Sequence, residues 1–234
     1  MTHNEGQMTK NSDQHPVMDP VDAQKSQFTL LKSRRFLPFF LTQFFGALND
    51  NLFKNALLVI LVSSGVAASG SETNTLVNMA AGLFIIPFFL FSALAGQLAD
   101  KYEKSGIIRR IKLAEIFIML GGVAALWFNE IWLMMSVLFA MGTQSAFFGP
   151  VKYAIIPQHL RREELIGGNA QIEMGTFVAI LIGTIAGSLL AGAEQPALLV
   201  GVIVVSVAII GWLSSRQVPL AEAKAPTLSI DFNP

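Results

Sequence analysis

FLPFFLTQFFGALNDNLFKNALLVILV, residues 36–62, is long enough to cross a bilayer, yet it sets Asn49-Asp50-Asn51 and Lys54-Asn55 near its middle. About 20 apolar residues suffice to span the hydrocarbon, so the stretch reads as a membrane-crossing helix. Each ionisable group at that depth costs on the order of 2.5 kcal/mol or more. Acids and lysines kept there mark polar pathways or substrate sites. The cluster therefore points to transport rather than simple anchoring.

The composition agrees. Hydrophobic residues make up 53% and charged residues 14% of the chain, with a mean hydropathy of +0.54, where soluble domains carry about 25% charged residues. The formal net charge is zero, so no global attraction draws the chain to nucleic acid. The absence of cysteine excludes disulfides and thiolate metal ligands. Residues 1–35 are polar, rich in Asn, Gln, Asp and Lys, and hold no apolar core. They read as a disordered cytoplasmic tail rather than a cleavable signal.

Hydropathy predicts six spans, at 36–62, 76–99, 107–128, 131–150, 166–191 and 196–213. Basic residues alternate with them. Lys10, Lys25, Lys32, Arg34 and Arg35 precede the first span. Lys101, Lys104, Arg109, Arg110 and Lys112 lie at the second connection, Lys152, Arg161 and Arg162 at the fourth, and Arg216 and Lys224 after the last. The first, third and fifth connections carry only Glu72, Glu130 and Glu194. The positive-inside rule then places both termini in the cytoplasm and requires an even number of spans. The fold expected is an all-α membrane protein: a tail over 1–35, a six-helix bundle over 36–214, and the start of a central cytoplasmic linker over 215–234.

The second span ends in Gly96-Gln97-Leu98-Ala99-Asp100-Lys101-Tyr102-Glu103-Lys104. This resembles the signature loop of the major facilitator superfamily, G-x-L-A-D-R-x-G-R-K. Gly96, Leu98, Ala99 and Asp100 match, Lys101 stands in for the arginine, and Lys104 matches the later basic position. Glu103 replaces the usual glycine, which puts the tight turn in question. Glycine permits close helix approach, and an aspartate with a nearby cation can latch a gate. Two more stretches, 45–51 (FGALNDN) and 149–155 (GPVKYAI), followed by 169–173 (NAQIE), resemble the lysophospholipid transporter family within that superfamily. Gly149, Ala154 and Gly168 depart from that family's Ser, Gly and Ala.

The resemblance covers 35–214 and implies movement of lysophospholipid, chiefly lysophosphatidylethanolamine, across the bacterial cytoplasmic membrane for reacylation. It implies no enzymatic activity and no cofactor beyond a coupling cation of unknown identity. Some relatives are fused to acyltransferase and acyl-carrier-protein synthetase domains, but no His-x-x-x-x-Asp motif occurs here. The superfamily has two six-helix halves with substrate between them. The chain matches the first half, so the expected partners are membrane lipids, the lysophospholipid and a second half. That second half would come from the same gene, a separate chain or a second copy.

Helical spacing sorts the polar residues. Gln43, Ala47, Asn51 and Asn55 form one stripe, and Asp50 and Lys54 an adjacent i, i+4 pair. Asp50 lies ~21 Å along the axis from Phe36, near midplane. It reads either as neutralised by Lys54 or as a ligand for an ammonium or coupling cation. Lys152 reads either as the phosphate ligand or as a lysine reaching the interface or anionic lipid heads; contact with Asp50 would need a break at Pro150 or a long reach. Asn169 and Glu173 share one face of the fifth span. Glu173 is open to three partners: a cation shared with Asp50, Lys152, or the interfacial Arg161 and Arg162. Glu115 reads as a local partner of Lys112, and Asn78 and Gln144 as interhelical glue. Gly175, Ala179, Gly183, Gly187 and Ala191 recur at i+4, a packing ridge for either this bundle or an opposing half.

Three functions are weighed: a transporter half, the membrane portion of a fused lipid-repair enzyme, and a truncated remnant without transport.

Overall fold

The computed structural model describes residues 29–63 and 70–231, so most of the predicted tail lies outside the described residues. Among the described residues, six helices are long and apolar enough to cross a membrane. They are α1 (Leu37–Ser63), α2 (Gly70–Lys101), α3 (Lys104–Phe128), α4 (Ile131–His159), α5 (Leu165–Ala191) and α6 (Pro196–Ser215).

Local chemistry sets several ends. Glu103 caps α3, its carboxylate accepting from the backbone N–H of Ser105 at 2.8 Å and Gly106 at 2.6 Å. The glutamate that replaces the family's glycine thus supplies a helix start, where an acid is favoured. Asn129 closes α3 in the left-handed conformation with φ 53°, a position asparagine tolerates. Pro196 opens α6 in the first turn, where its missing N–H is no loss.

The predicted end of the fourth span at Pro150 is wrong. α4 runs through Pro150 and Pro157 to His159, and its last turns bury Val151, Lys152, Ile155 and Ile156. Burial of that face outweighs the hydrogen bond that Pro150 removes. α2 likewise begins at Gly70, ahead of the predicted 76.

α1 packs against α5 and α6, α2 against α4, and α3 bridges α4 and α6. The result is two close pairs, α1–α5 and α2–α4, joined behind by α3 and α6. Both pairs depend on glycine. A Cβ at Gly183 would fall 2.6 Å from the Leu48 carbonyl oxygen, and one at Gly187 2.2 Å from that of Leu52. A Cβ at Gly142 of α4 would fall 2.2 Å from the Phe84 carbonyl oxygen of α2. Gly175, Ala179, Gly183, Gly187 and Ala191 are all buried, so the ridge on α5 seats α1 and is not a free surface for another half.

One apolar core gathers Phe53, Leu57, Met119, Leu138, Met141, Val200 and Val204. A second, at the basic end, gathers Leu30, Phe36, Phe39, Ile108, Ile155, Val218 and Ala221. Chain segments before α1 and after α6 therefore meet at one end, as an even number of crossings requires. Residues 216–231, expected as a linker, lie across that end. Ala221 accepts from the Lys104 N–H at 3.0 Å, and Ala225 donates to the Asp100 carbonyl at 2.8 Å.

Candidate functional site

A cleft of ≈ 540 Å³ opens between the two pairs. α1 contributes Gln43, Gly46, Ala47 and Asp50, α2 Phe88 and Ser92, and α3 Lys112. α4 contributes Gln144, Ser145, Phe148, Lys152 and Tyr153, and α5 Thr176. At ~1.5 Å rise per residue, Asp50 stands ~20 Å from the start of α1, and Lys152 ~10 Å from the basic end of α4. Thin contact between α1 and α4 leaves the space between these residues open.

Asp50 does not pair with Lys54. Its Oδ2 accepts from Ser145 Oγ at 2.6 Å, and its buried Oδ1 has no partner among the described residues. Lys54 Nζ instead donates to Asn51 Oδ1 at 3.2 Å and lies 5.0 Å from the Phe84 ring centre. Asp50 and Lys54 thus form no direct ion pair, and the i, i+4 spacing does not bring their charged ends into contact.

The polar stripe of α1 is divided: Gln43 and Ala47 line the cleft, and Asn51 and Asn55 do not. Gln43 donates to Thr176 and, at 3.3 Å, to the Ile172 carbonyl. Asn55 Nδ2 donates to Thr184 Oγ1 at 3.2 Å, and Asn51 Nδ2 to the Ala47 carbonyl at 2.8 Å. The Gln43 and Asn55 bonds fasten α1 to α5, and all of them satisfy amides that lipid cannot. Of the predicted first-span ligands, Asp50 lines the cleft, whereas Asn51, Lys54 and Asn55 do not.

Lys152 is buried at 8% exposure, which rules out a side chain extended to the interface. Its Nζ lies 3.1 Å from Glu173 Oε1 and 4.7 Å from the Tyr153 ring centre. Tyr153 also donates to Glu173, at 3.1 Å. Of the partners open to Glu173, the cross-helix lysine is the one it takes. Lys152 reaches the cleft without any break at Pro150. Asn169 is exposed and donates to the Leu165 carbonyl of its own helix at 2.8 Å, so it stands apart from the site.

In the signature loop, Lys104 is 1% exposed, and its Nζ donates to the Glu222 carbonyl at 2.7 Å. Lys101 lies 5.8 Å from the Tyr102 ring centre. Asp100 forms no ion pair among the described residues, and a Cβ at Gly96 would meet nothing within 4 Å. Among the described residues the expected latch has no cation closed on Asp100. Partial burial would raise the Glu103 carboxyl, but hydrogen bonds from Ser105, Ala221 and Gly106 outweigh it and hold the group below its ordinary value.

Sequence reasoning undervalued three cleft residues, Lys112, Gln144 and Ser145, and the buried Glu115 behind them. Lys112 and Glu115 form the expected i, i+3 pair, and at 1% exposure each it is buried in the bundle. Glu115 also accepts from Asn49 Nδ2 at 3.0 Å and Gln144 Nε2 at 3.2 Å. Gln144 and Ser145 both line the cleft. The available signal was position: once α3 starts at Lys104, Lys112 lies ~12 Å inside it.

A family model described as Major Facilitator Superfamily matches residues 39–230. A lysophospholipid transporter of Pectobacterium carotovorum is 28% identical over 175 residues, which cover 73% of this chain and 39% of the relative. Lysophospholipid transporters of Yersinia pestis and Yersinia pseudotuberculosis are 28% identical over 164 residues, 69% of this chain and 37% of theirs. The chain thus spans about two-fifths of the length of the curated relatives it matches. No solved structure matches it. A six-helix multi-pass bundle in which five helices line a charged cleft, and whose sequence fits the family model over 39–230, belongs to the Major Facilitator Superfamily.

Proposed function

We propose that the chain forms one half of a transporter for lysophospholipid, with lysophosphatidylethanolamine as substrate, in the bacterial inner membrane with both termini cytoplasmic. The observation that carries this reading is the Asp50 carboxylate and the Lys152 ammonium opening into one cleft that also presents Phe88 and Phe148. Asp50 takes the headgroup ammonium, using the Oδ1 that no described residue satisfies. Lys152 takes phosphate, and the aromatic walls hold the acyl chain. A coupling cation is the alternative occupant of Asp50. A second six-helix unit closes the open side, and rocking of the halves about the site exposes it to each face in turn. The relatives' printed function supports the substrate class.

The test is uptake of labelled lysophosphatidylethanolamine by cells expressing the chain with and without a second half. Asp50→Asn is expected to cut uptake at least tenfold, the loss of about 1.4 kcal/mol or more from one charged contact. Uptake unchanged in that variant removes Asp50 from the site. Competition by a sugar, with none by unlabelled lysolipid, overturns the substrate class.

A further inference from the structure

Phosphate recognition as described uses Lys152 and leaves the buried Lys112–Glu115 pair without a role. Four observations bear on it. Lys112 lines the same cleft as Lys152, and the two sit at similar depth, ~12 Å and ~10 Å from the basic ends of α3 and α4. The Lys112 ammonium occupies a notch in α1, where a Cβ at Gly46 would come within 2.7 Å of Nζ, and its stem passes 3.1 Å from the equivalent point at Gly211 of α6. An ammonium has three donors, and Glu115 accepts the one hydrogen bond Lys112 makes to described residues. Glu115 does not depend on Lys112 alone, because the Asn49 and Gln144 amides donate to it at 3.0 and 3.2 Å.

A permanent buried ion pair is weak as a stabilising device, since apolar residues of similar shape commonly do as well. A pair whose acid has two further donors and whose base faces a cleft suits exchange. The base can lean toward an incoming anion while the acid stays satisfied. The ionisable groups of the cleft lining are one acid, Asp50, and the lysines 112 and 152, apart from the Tyr153 phenol. That lining favours a ligand with at least as much negative as positive charge.

We propose that Lys112 is a second oxyanion ligand of the cleft, sharing with Lys152 the phosphate of a single-chain amphiphile, and that Glu115 positions Lys112 between binding events. This deepens the lysophospholipid reading and rests on it for the lipid tail. The shared chemistry is a phosphate group, whether carried by a lipid or free.

The test is calorimetric binding to the full chain in nanodiscs, with lysophosphatidylethanolamine, dodecyl phosphate, a monoacylglycerol and inorganic phosphate as probes. Lys112→Gln is compared with Lys112→Gln/Glu115→Gln, which leaves no unpaired buried carboxylate if the single variant fails to fold. Both variants are expected to weaken the two phosphate-bearing amphiphiles about tenfold or more, the scale of one charge-assisted hydrogen bond, and to leave the monoacylglycerol unchanged. Equal weakening of all three amphiphiles, or of none, overturns the proposal and leaves the lysophospholipid reading standing. Lys112-dependent binding of dodecyl phosphate without binding of lysophosphatidylethanolamine upholds the anion site and overturns the lysophospholipid reading. Inorganic phosphate binding as tightly as the amphiphiles upholds the site with free phosphate as its ligand. Wild-type protein that binds no phosphate-bearing probe overturns both.

Discussion

Gly142→Ala puts a single methyl group between α2 and α4, the pair that forms one wall of the cleft. The new Cβ would stand 2.2 Å from the Phe84 carbonyl oxygen, 2.9 Å from its carbonyl carbon and 3.1 Å from its Cα. All three are backbone atoms, so no side chain can rotate away. A normal carbon–oxygen contact of ~3.3 Å requires the helices to part by about 1 Å. Overpacking of that kind costs roughly 1–3 kcal/mol. Against it stands the gain in helix propensity of about 1 kcal/mol for replacing glycine.

Gly82→Ala on α2 is the control, because its Cβ would meet nothing within 4 Å and only the propensity gain remains. Thermal unfolding in one detergent is the assay. At roughly 2–4 °C per kcal/mol for a chain of this size, Gly82→Ala should hold or raise Tm. Gly142→Ala should melt below Gly82→Ala by about 2–12 °C, the 1–3 kcal/mol of overpacking that the control lacks. A Gly142→Ala protein as stable as the Gly82→Ala protein would refute the backbone contact between α2 and α4.

Two further predictions concern the polar residues outside the cleft. Asn55→Ala should cost about 0.6 kcal/mol, the average for an interhelical hydrogen bond in a membrane protein. Asn169→Ala should change neither Tm nor lysolipid binding, since that side chain bonds only its own helix; a binding defect there would put Asn169 back in the site. The last prediction concerns pH. The Glu103 carboxyl is held below its ordinary value of 4.5, so its contribution to docking residues 216–231 is present above 4.5 and lost as pH falls through the lowered folded value. Hydrogen exchange at the Ala221 and Ala225 amides should accelerate in that acid window, and Glu103→Gln should flatten the pH dependence.

The number and approximate limits of the helices were legible in the chain because crossing hydrocarbon demands long apolar runs. The basic-loop alternation, carried by Lys101, Arg161, Arg216 and their neighbours, also paired the ends correctly. The fourth helix outran its predicted span because hydropathy reads a local apolar run, whereas burial of Val151 and Ile155 on neighbouring helices is not local at all. The ridge from Gly175 to Ala191 was legible as packing, but its partner was not. Either α1 or an opposing half would have suited a surface without side chains.

The site shows the same division. Asp50 stood out as an acid inside an apolar span and Lys152 through the family resemblance just past one, and the structure sets both on one cleft. Asn51 and Asn55 stood out equally, yet they turn toward α5. Lys112 and Glu115 read only as a local pair at the start of the third span, and the pairing is as expected, but its burial beside the cleft was not legible. By itself, the sequence determined that this is a six-helix membrane bundle with charge held at depth. The rotation of each helix about its axis, and so which polar residues share a cavity, was decided only in the tertiary structure. The physical reason is that lipid and protein core are both apolar. A membrane helix therefore lacks the polar outer face that reveals the inward side of a soluble one.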